Sequence, residues 1–222
     1  MVPERLKAPE LYSEEKLKEE IVKTSRVLYE KGLITAIGGN ISARIPGGKE
    51  FWITPSQLCK SELKTEDLVK LDLEGNLVEG VLKPSVEKLM HACVYRVRPE
   101  ANAVIHAHNP LTLALVSAGL SLEPVTGEAC ILLGKPEVLP FLFPGTDKLA
   151  NAVEEAAKRG PKLIILENHG VVGIGYDLLE ARAVVELAED VSKIIIFSNL
   201  LGRKPKPIPE ENIELFKKLF WK

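Results

Sequence analysis

Residues 98–108 read RPEANAVIHAH and end a short apolar run with two histidines, His106 and His108. Pro99 closes the helical pattern before it, and residues 103–105 are apolar and of strand length, so a β-strand is predicted here. Residues i and i+2 of a strand point to the same face. The two imidazoles are therefore predicted to meet at one place at the end of this strand.

The sequence on both sides of this strand alternates between helical and extended patterns. Helices are predicted between Ser13 and Gly32, over residues 85–97, 110–116, 147–158 and 177–200, and from Pro209 onward. Strands are predicted over residues 41–45, 51–53, 69–73, 77–78, 131–133, 138–143, 163–166 and 171–174. No linker rich in proline, glycine or serine divides the chain. This order predicts a single α/β domain over residues 1–222, with three α/β/α layers around a largely antiparallel sheet.

Composition narrows the classes of partner. Hydrophobic residues make up 45% and charged residues 27% of the chain, and the formal net charge is -2. This composition and net charge do not predict the positive electrostatic potential that would attract nucleic acid or a membrane surface. Residues 1–10 lack an apolar signal-peptide core, and later apolar stretches are interrupted by charges, so a cytoplasmic protein without a membrane span is expected. Cys59, Cys93 and Cys130 form no CxxC pair and are predicted to be reduced thiols.

A third histidine extends the predicted site. His169 lies in a tight turn, next to Gly170, between two apolar strand patterns. Three imidazoles with a carboxylate or water suit zinc, although manganese, cobalt or iron would also accept them. Taken alone, His106 and His108 could be ordinary polar side chains at a strand end instead of metal ligands. His169 alone could likewise be an ordinary turn residue. The hypothesis of a metal site depends on all three meeting.

Glu87 and His91 are four residues apart on one predicted helix and therefore share a face. Glu87 falls in the predicted first turn, where a helix favours an anion, and it is a candidate metal ligand, general base or both. His91 is a candidate fourth imidazole ligand. The favoured interpretation is that His91 packs beneath the site and bonds to backbone, because ligands at both positions would crowd the histidine pair.

Three short polar turns are candidate phosphate contacts. They contain Gly39 and Asn40, then Ser56 in Thr54-Pro55-Ser56, and then Ser85 at a predicted helix start. Backbone amides in such turns and at helix starts can cradle a phosphate without a lysine. Each turn alone is also an ordinary loop, so this prediction requires that the turns converge in space.

Taken in order, these motifs resemble the class II aldolase family that contains L-fuculose-1-phosphate aldolase, L-ribulose-5-phosphate 4-epimerase and methylthioribulose-1-phosphate dehydratase, and most closely its fuculose-phosphate branch. The resemblance runs from about residue 14 to the C-terminus. It rests on residues 39–42 (GNIS), 53–56 (ITPS), 83–87 (KPSVE), His91, 98–108 (RPEANAVIHAH), 144–146 (PGT) and 167–171 (ENHGV).

The resemblance implies a zinc-dependent aldolase with active sites at the interfaces of a homotetramer. Such an enzyme cleaves a ketose 1-phosphate to dihydroxyacetone phosphate and a short aldehyde through an enediolate. The implied zinc ligands are His106, His108 and His169, with Glu87 as metal neighbour and base. The implied phosphate contacts are Gly39, Asn40, Ser56 and Ser85.

The chain departs from the fuculose-phosphate pattern at three places. Gln57 stands where a glycine is usual, and Val86 replaces a hydroxyl residue. Glu128 lies near the position of a tyrosine that acts as acid, so Glu128 is a candidate acid or base that reaches a neighbouring subunit's site. It is equally a candidate surface carboxylate. The C-terminal Phe220 and Trp221 are candidates for an apolar lid or for interface packing.

These departures keep other reactions open. A dehydratase of the methylthioribulose-1-phosphate type and a pentulose-phosphate 4-epimerase use the same metal and the same kind of intermediate. A decarboxylase acting on a phosphorylated sugar acid is a smaller alternative. A non-catalytic interaction domain of the adducin type is disfavoured, because a scaffold need not keep three histidines and Glu87 together.

Overall fold

The computed structural model describes residues 13–206 and 208–220. Trp221 and the side chain of Phe220 lie outside the described residues, so the lid prediction stays a prediction. Among the described residues, none of the helices is long and apolar enough to cross a membrane. Cys59, Cys93 and Cys130 form no disulfide.

Seven α-helices and eight strands make up the described part of the chain. The strands are β1 (Asn40–Ala43), β2 (Glu50–Ile53), β3 (Val69–Asp72), β4 (Leu77–Glu79), β5 (Ala103–Ala107), β6 (Glu137–Leu139), β7 (Leu163–Leu166) and β8 (Gly170–Gly175). The helices are α1 (Glu14–Glu30), α2 (Lys88–Val97), α3 (Pro110–Ser117), α4 (Gly127–Leu132), α5 (Asp147–Lys158), α6 (Leu178–Leu200) and α7 (Glu210–Phe220). A short 3-10 helix covers Thr65–Asp67.

All eight strands belong to one sheet with the order β4-β3-β2-β1-β5-β8-β7-β6. Every neighbouring pair is antiparallel except β6 and β7, which are parallel. The strand that carries the histidine pair, β5, lies between β1 and β8 near the middle of the sheet. The predicted α/β fold with a largely antiparallel sheet is confirmed.

Helices cover both faces of the sheet because successive strand residues point to opposite sides. Ile105 belongs to one buried cluster, which includes residues of α1, α3, α4 and α6. Its neighbour Val104 belongs to a second buried cluster, which includes residues of α2 and α5. Both side chains are fully buried, and each such side chain stabilises the fold by about 1.5–3 kcal/mol. The two clusters form the interfaces of a three-layer α/β/α arrangement.

Two predicted strands differ from the structure. The sequence pattern predicts residues 131–133 as extended, but 131 and 132 belong to α4, whose N-cap Thr126 accepts a hydrogen bond from the backbone N–H of Ala129. A short apolar window does not distinguish a buried helix face from a strand, and the cap decides in favour of the helix. The strand predicted over 138–143 is confined to β6 (Glu137–Leu139).

Helix α2 begins at Lys88, three residues later than the sequence predicts. Glu87 is its N-cap residue, with φ -94° and ψ 15°, so it precedes the first turn instead of lying within it. The preceding residues form turns in which the N–H of Lys88 donates to the carbonyl of Ser85. The carboxylate of Glu87 makes no capping hydrogen bond and is therefore available to other partners.

Candidate active site

Three histidines converge at one edge of the central strands. His106 lies on β5, His108 follows that strand, and His169 lies in the turn between β7 and β8. One ring nitrogen from each lies within 4.8 Å of the others. The pairing of Ala107 with Val171 brings the two segments side by side.

The turn that carries His169 requires special residues on both sides. Asn168 has φ 55°, a left-handed conformation that asparagine tolerates better than most residues. A Cβ atom at position 170 would collide with the carbonyl oxygen of Ala107. Gly170 therefore lets the turn approach β5 closely enough for His169 to reach the other two histidines.

Hydrogen bonding fixes the tautomer of His106. Its Nδ1 lies 3.0 Å from the carbonyl oxygen of Val171, which only accepts, so Nδ1 carries the hydrogen and Nε2 presents a lone pair. Burial lowers the pKa of His106 to about 4, which keeps the ring neutral near neutral pH. Nε2 lies 3.1 Å from Nε2 of His108 and 3.2 Å from Oε2 of Glu87. The imidazole is thus prepared to act as a ligand.

Glu87 places a carboxylate beside the three rings. Its Oε2 accepts a hydrogen bond from Nδ2 of Asn40 at 3.0 Å, and its Oε1 lies 3.2 Å from Nε2 of His169. Burial favours the neutral acid, but His106, His169 and the Asn40 amide hold the pKa of Glu87 well below its usual range. Glu87 is therefore ionised at neutral pH, and within the described residues no lysine or arginine pairs with it.

These residues fit a divalent metal ion. Nδ1 of His169 and Oε1 of Glu87 are buried without a hydrogen-bond partner among the described residues, and such orphaned polar atoms are costly. Three imidazoles with a neighbouring carboxylate are a donor set that suits zinc and related transition metals.

His91 lies beneath this cluster, but it bonds to side chains and not to backbone as the sequence analysis favoured. Its Nε2 contacts Oδ1 of Asn40, and its Nδ1 lies 2.7 Å from Oγ of Ser42. Ser42 Oγ lies 2.7 Å from the hydroxyl of Tyr95. Because β1 is paired with β5, Asn40 and Ser42 face α2, and this pairing could not be read from the helix pattern alone.

The hydrogens in this chain of contacts have one consistent order. Asn40 donates from Nδ2 to the Glu87 carboxylate, so its Oδ1 accepts from the Nε2–H of His91. The Nδ1 of His91 then accepts from Ser42, which accepts from Tyr95. Burial lowers the pKa of His91 to about 3, so this neutral tautomer persists. The network holds Asn40, and through it Glu87, in one orientation.

The predicted phosphate contacts meet in a cavity of about 320 Å³ next to the metal cluster. Gly39, Asn40, Ser56 and Ser85 all line it, together with Glu87, His108 and His169. A backbone bridge joins Pro55 to Pro84, and this bridge holds the turns of Ser56 and Ser85 side by side. The three turns that were separate in sequence therefore form one surface.

Two of the three departures from the family pattern, Gln57 and Val86, lie at or next to the cavity, and the third, Glu128, does not line it. Gln57 has φ 61°, so the turn keeps the left-handed conformation despite its side chain. Val86 lines the cavity and is 57% exposed. Glu128 lies in the first turn of α4, is exposed and does not line the cavity. Within one chain the structure does not bring Glu128 to the site.

Lys60 also lines this cavity, although nothing in the sequence pattern indicated this position. It is 2% exposed, whereas lysines in polar loops are almost always solvated. The alternation of polar and apolar residues around position 60 carried no signal of this burial.

A larger cavity of about 650 Å³ lies between α3, α4 and the edge formed by β6 and β7. Its lining is mainly apolar and includes none of the four histidines. The convergence of titratable groups, and not volume, therefore selects the smaller cavity as the candidate active site.

Comparison with known families agrees with this geometry. The family described as "Class II Aldolase and Adducin N-terminal domain" matches residues 19–196. The chain belongs to the class II aldolase family. All three histidines and Glu87 lie within the matched residues, as does the whole cavity lining.

Relatives in this class II aldolase family carry more than one activity. The L-fuculose phosphate aldolase of Methanocaldococcus jannaschii is 37% identical over 187 residues, which cover 84% of this chain and 99% of the relative. The 3-oxo-tetronate 4-phosphate decarboxylase of Haemophilus influenzae is 34% identical, and the match covers 89% of this chain and 94% of the relative. A solved structure of an L-fuculose 1-phosphate aldolase superposes with a TM-score of 0.86 at 30% identity, over 95% of this chain and 99% of that one. This class II aldolase is accordingly an enzyme of the metal-dependent aldolase and lyase class.

Proposed function

We propose that this chain is a zinc-dependent aldolase that cleaves a ketose 1-phosphate of the L-fuculose 1-phosphate type. The products are dihydroxyacetone phosphate and a short aldehyde. The observation that carries this proposal is the meeting of a three-histidine cluster, a buried carboxylate and three polar turns in one cavity. The cavity thus has a candidate metal site at the three histidines, here called the metal pole, and a candidate phosphate site at the polar turns, here called the phosphate pole. Two such sites in one cavity match a small phosphorylated sugar.

Each pole has a role in the proposed reaction. His106, His108 and His169 hold the ion, with Glu87 beside them. When bound, zinc acts as a Lewis acid that stabilises negative charge on the substrate oxygens. Gly39, Asn40, Ser56 and Ser85 bind the phosphate and fix the sugar carbons with respect to Glu87, a type of positioning that lowers the entropic part of the barrier. The same donor set accepts Mn²⁺, Co²⁺ or Fe²⁺ as alternative ions.

Glu87 is the proposed general base. In the condensing direction its carboxylate takes one proton from the carbon next to the carbonyl of dihydroxyacetone phosphate, and the electron pair of that C–H bond forms an enediolate. The enediolate carbon bonds to the aldehyde carbon, and the aldehyde oxygen then takes a proton. Cleavage is the reverse sequence. Glu128 of a neighbouring subunit is the proposed acid or base at the aldehyde oxygen.

Decarboxylation of a phosphorylated 3-oxo acid is the second candidate. The 34% identity to the Haemophilus influenzae relative supports it, because loss of carbon dioxide from such an acid also leaves an enolate that the same cavity would stabilise. Dehydration of a methylthioribulose-1-phosphate type of substrate and 4-epimerisation of a pentulose phosphate are alternatives on the same residues.

We further propose a single domain over residues 1–222 and a cytoplasmic homotetramer with active sites at its interfaces. Exposed apolar side chains around the cavity support an interface there. Ile37 and Val86 line the cavity and are 68% and 57% exposed, and Phe143, next to the lining residue Pro144, is 72% exposed. Such side chains are commonly buried in oligomers.

The deciding experiment incubates zinc-loaded protein with L-fuculose 1-phosphate and assays dihydroxyacetone phosphate. Metal-dependent release that a chelator stops would establish the aldolase reaction. A parallel incubation with 3-oxo-tetronate 4-phosphate measures carbon dioxide. If the second incubation releases carbon dioxide and the first releases no dihydroxyacetone phosphate, the chain is a decarboxylase and the aldolase proposal fails.

A further inference from the structure

Lys60 is a buried cation at the candidate phosphate pole. Its residue is 2% exposed, yet it lines the cavity next to Ser56 and Ser85. It is the only lysine or arginine among the residues described as lining that cavity. The other proposed phosphate contacts are hydroxyls, backbone groups and the Asn40 amide, so Lys60 supplies the one ammonium group among the described lining residues.

The ammonium group holds the turn that carries Ser56. Nζ donates to the carbonyl oxygen of Pro55 at 3.0 Å and to that of Leu58 at 3.3 Å. These two carbonyls lie on either side of Ser56 in the chain. An ammonium has three hydrogens, and over the described part of the chain only these two acceptors are found. One donor is left for a further acceptor.

The main chain of Lys60 is anchored from a different direction. Its N–H donates to the carbonyl of Ala36 at 2.8 Å, and its carbonyl accepts from Oγ of Ser25 at 2.9 Å. Ser25 is fully buried on α1. The position of the ammonium is therefore built into the fold and does not depend on a flexible surface side chain.

The ammonium forms no ion pair among the described side chains. Among the described side chains, no carboxylate lies within 4.0 Å of Nζ, and the carboxylate of Glu87 faces Asn40 and the histidine cluster instead. Burial lowers the pKa of Lys60, which reflects the cost of removing an ammonium from water. Holding two carbonyls would need only a neutral donor. A buried cation with an open cavity beside it is better explained by an anion that enters the cavity.

We propose that Lys60 makes the cavity selective for a phosphate monoester over the corresponding uncharged hydroxyl. It does so as a positioning and specificity residue: it fixes the Ser56 turn and supplies the positive charge toward which the phosphate is drawn. This inference rests on the proposed function in taking the phosphate to be part of the substrate. Charge-assisted contacts of this kind are about twice as strong as neutral ones.

The test replaces Lys60 in the metal-loaded full-length protein. Lys60→Met removes both the charge and the donors, whereas Lys60→Gln keeps two donor hydrogens for the two carbonyls and removes the charge together with the third hydrogen. Ser25→Ala is the matched control, because it removes a hydrogen bond to the same residue and leaves the ammonium. Binding of inorganic phosphate is measured by calorimetry at constant ionic strength, and folding is checked by circular dichroism.

Both Lys60 variants are expected to raise the Kd for inorganic phosphate by about 10- to 100-fold, while Ser25→Ala keeps the wild-type Kd. In kinetics, kcat/KM is expected to fall for L-fuculose 1-phosphate, mainly through KM, and to stay unchanged for unphosphorylated L-fuculose. A merely structural role of Lys60 would lower kcat/KM for the phosphorylated and the unphosphorylated substrate together. A wild-type Kd in folded Lys60→Gln, or no phosphate binding by the wild-type protein, would overturn the proposal.

The outcomes separate this inference from the proposed function. If the wild-type protein binds phosphate in a Lys60-dependent way but releases no dihydroxyacetone phosphate from L-fuculose 1-phosphate, the aldolase reaction fails and the role of Lys60 stands. If the aldolase reaction is present and Lys60→Gln matches the wild-type protein in both assays, the proposed function stands and the role of Lys60 fails.

Discussion

Nδ2 of Asn40 lies 3.0 Å from Oε2 of Glu87, although the two residues are 47 positions apart in the chain. Asn40 begins β1 and is paired in register with His106 on β5, while Glu87 precedes α2. The same amide accepts from His91. Residues proposed for phosphate binding, base catalysis and metal binding are thus joined in one hydrogen-bonded unit. A change at Asn40 is therefore expected to disturb the orientation of the Glu87 carboxylate.

Glu87→Gln is expected to retain metal and to lower kcat by about 10²- to 10⁴-fold, the range typical of a lost general base. The amide keeps an oxygen beside the three histidines but no longer accepts a proton. Metal content by atomic emission and steady-state kinetics test this. If the variant loses its metal, Glu87 is mainly a ligand and the role of base must go to another group.

His106→Ala is expected to abolish metal binding and turnover together. Nε2 of His106 lies 3.1 Å from Nε2 of His108 and 3.2 Å from Oε2 of Glu87, so its loss removes the donor that faces both of these groups. His91→Gln is the matched control, because it alters a buried histidine outside the cluster and should leave the metal content unchanged. Full activity in His106→Ala would remove this histidine from the site.

The sequence was sufficient for those parts of the site that depend on local geometry. Alternate residues of one strand face the same way, so the strand pattern alone places His106 and His108 together. His169 was a candidate because it stands at a strand-end turn beside Gly170, and the pairing of β8 with β5, which the strand pattern does not predict, brings that turn to the histidine pair. The roles of these residues are implied by the family resemblance and stay predictions, while the structure brings Gly39, Asn40, Ser56 and Ser85 into one cavity.

What the sequence did not predict depends on contacts between distant segments. His91 was expected to bond to backbone, but strand pairing places Ser42 and Asn40 against it. Lys60 gave no signal because its main-chain and side-chain partners, which include Ser25 on α1 and Ala36, come from packing that the local pattern does not encode. The helix α4 was predicted in part as a strand, since its apolar run is shorter than two helical turns.

Glu128→Gln is expected to slow turnover by about tenfold or more while phosphate binding stays unchanged. Glu128 is exposed on α4 and absent from its own cavity, so any effect must arise in a neighbouring subunit. Mixing the Glu128→Gln and His106→Ala chains during refolding tests this directly. Mixed oligomers should regain activity, because some sites then combine an intact cluster with an intact Glu128. An unaltered rate in the single variant would return Glu128 to the role of a surface carboxylate.

Acid is expected to destabilise the protein through His91. The ring is fully buried, and its pKa is lowered to about 3, whereas the unfolded chain protonates near the ordinary histidine value of 6.5. Between these values the unfolded state binds more protons, so the free energy of unfolding falls as pH falls. The stabilisation is fully present above 6.5 and is lost progressively toward about 3, at up to about 1.4 kcal/mol per pH unit.

Urea unfolding at several pH values between about 7 and 4 measures this slope, with chelator present so that metal release does not contribute. His91→Gln removes the titrating ring and should therefore give a shallower fall in the free energy of unfolding, even if the variant is less stable throughout. His106 titrates in the same direction, since burial lowers its pKa to about 4, so the slope of the variant should not vanish. Identical slopes for the wild-type protein and His91→Gln would mean that His91 is not held neutral by the network of Asn40, Ser42 and Tyr95.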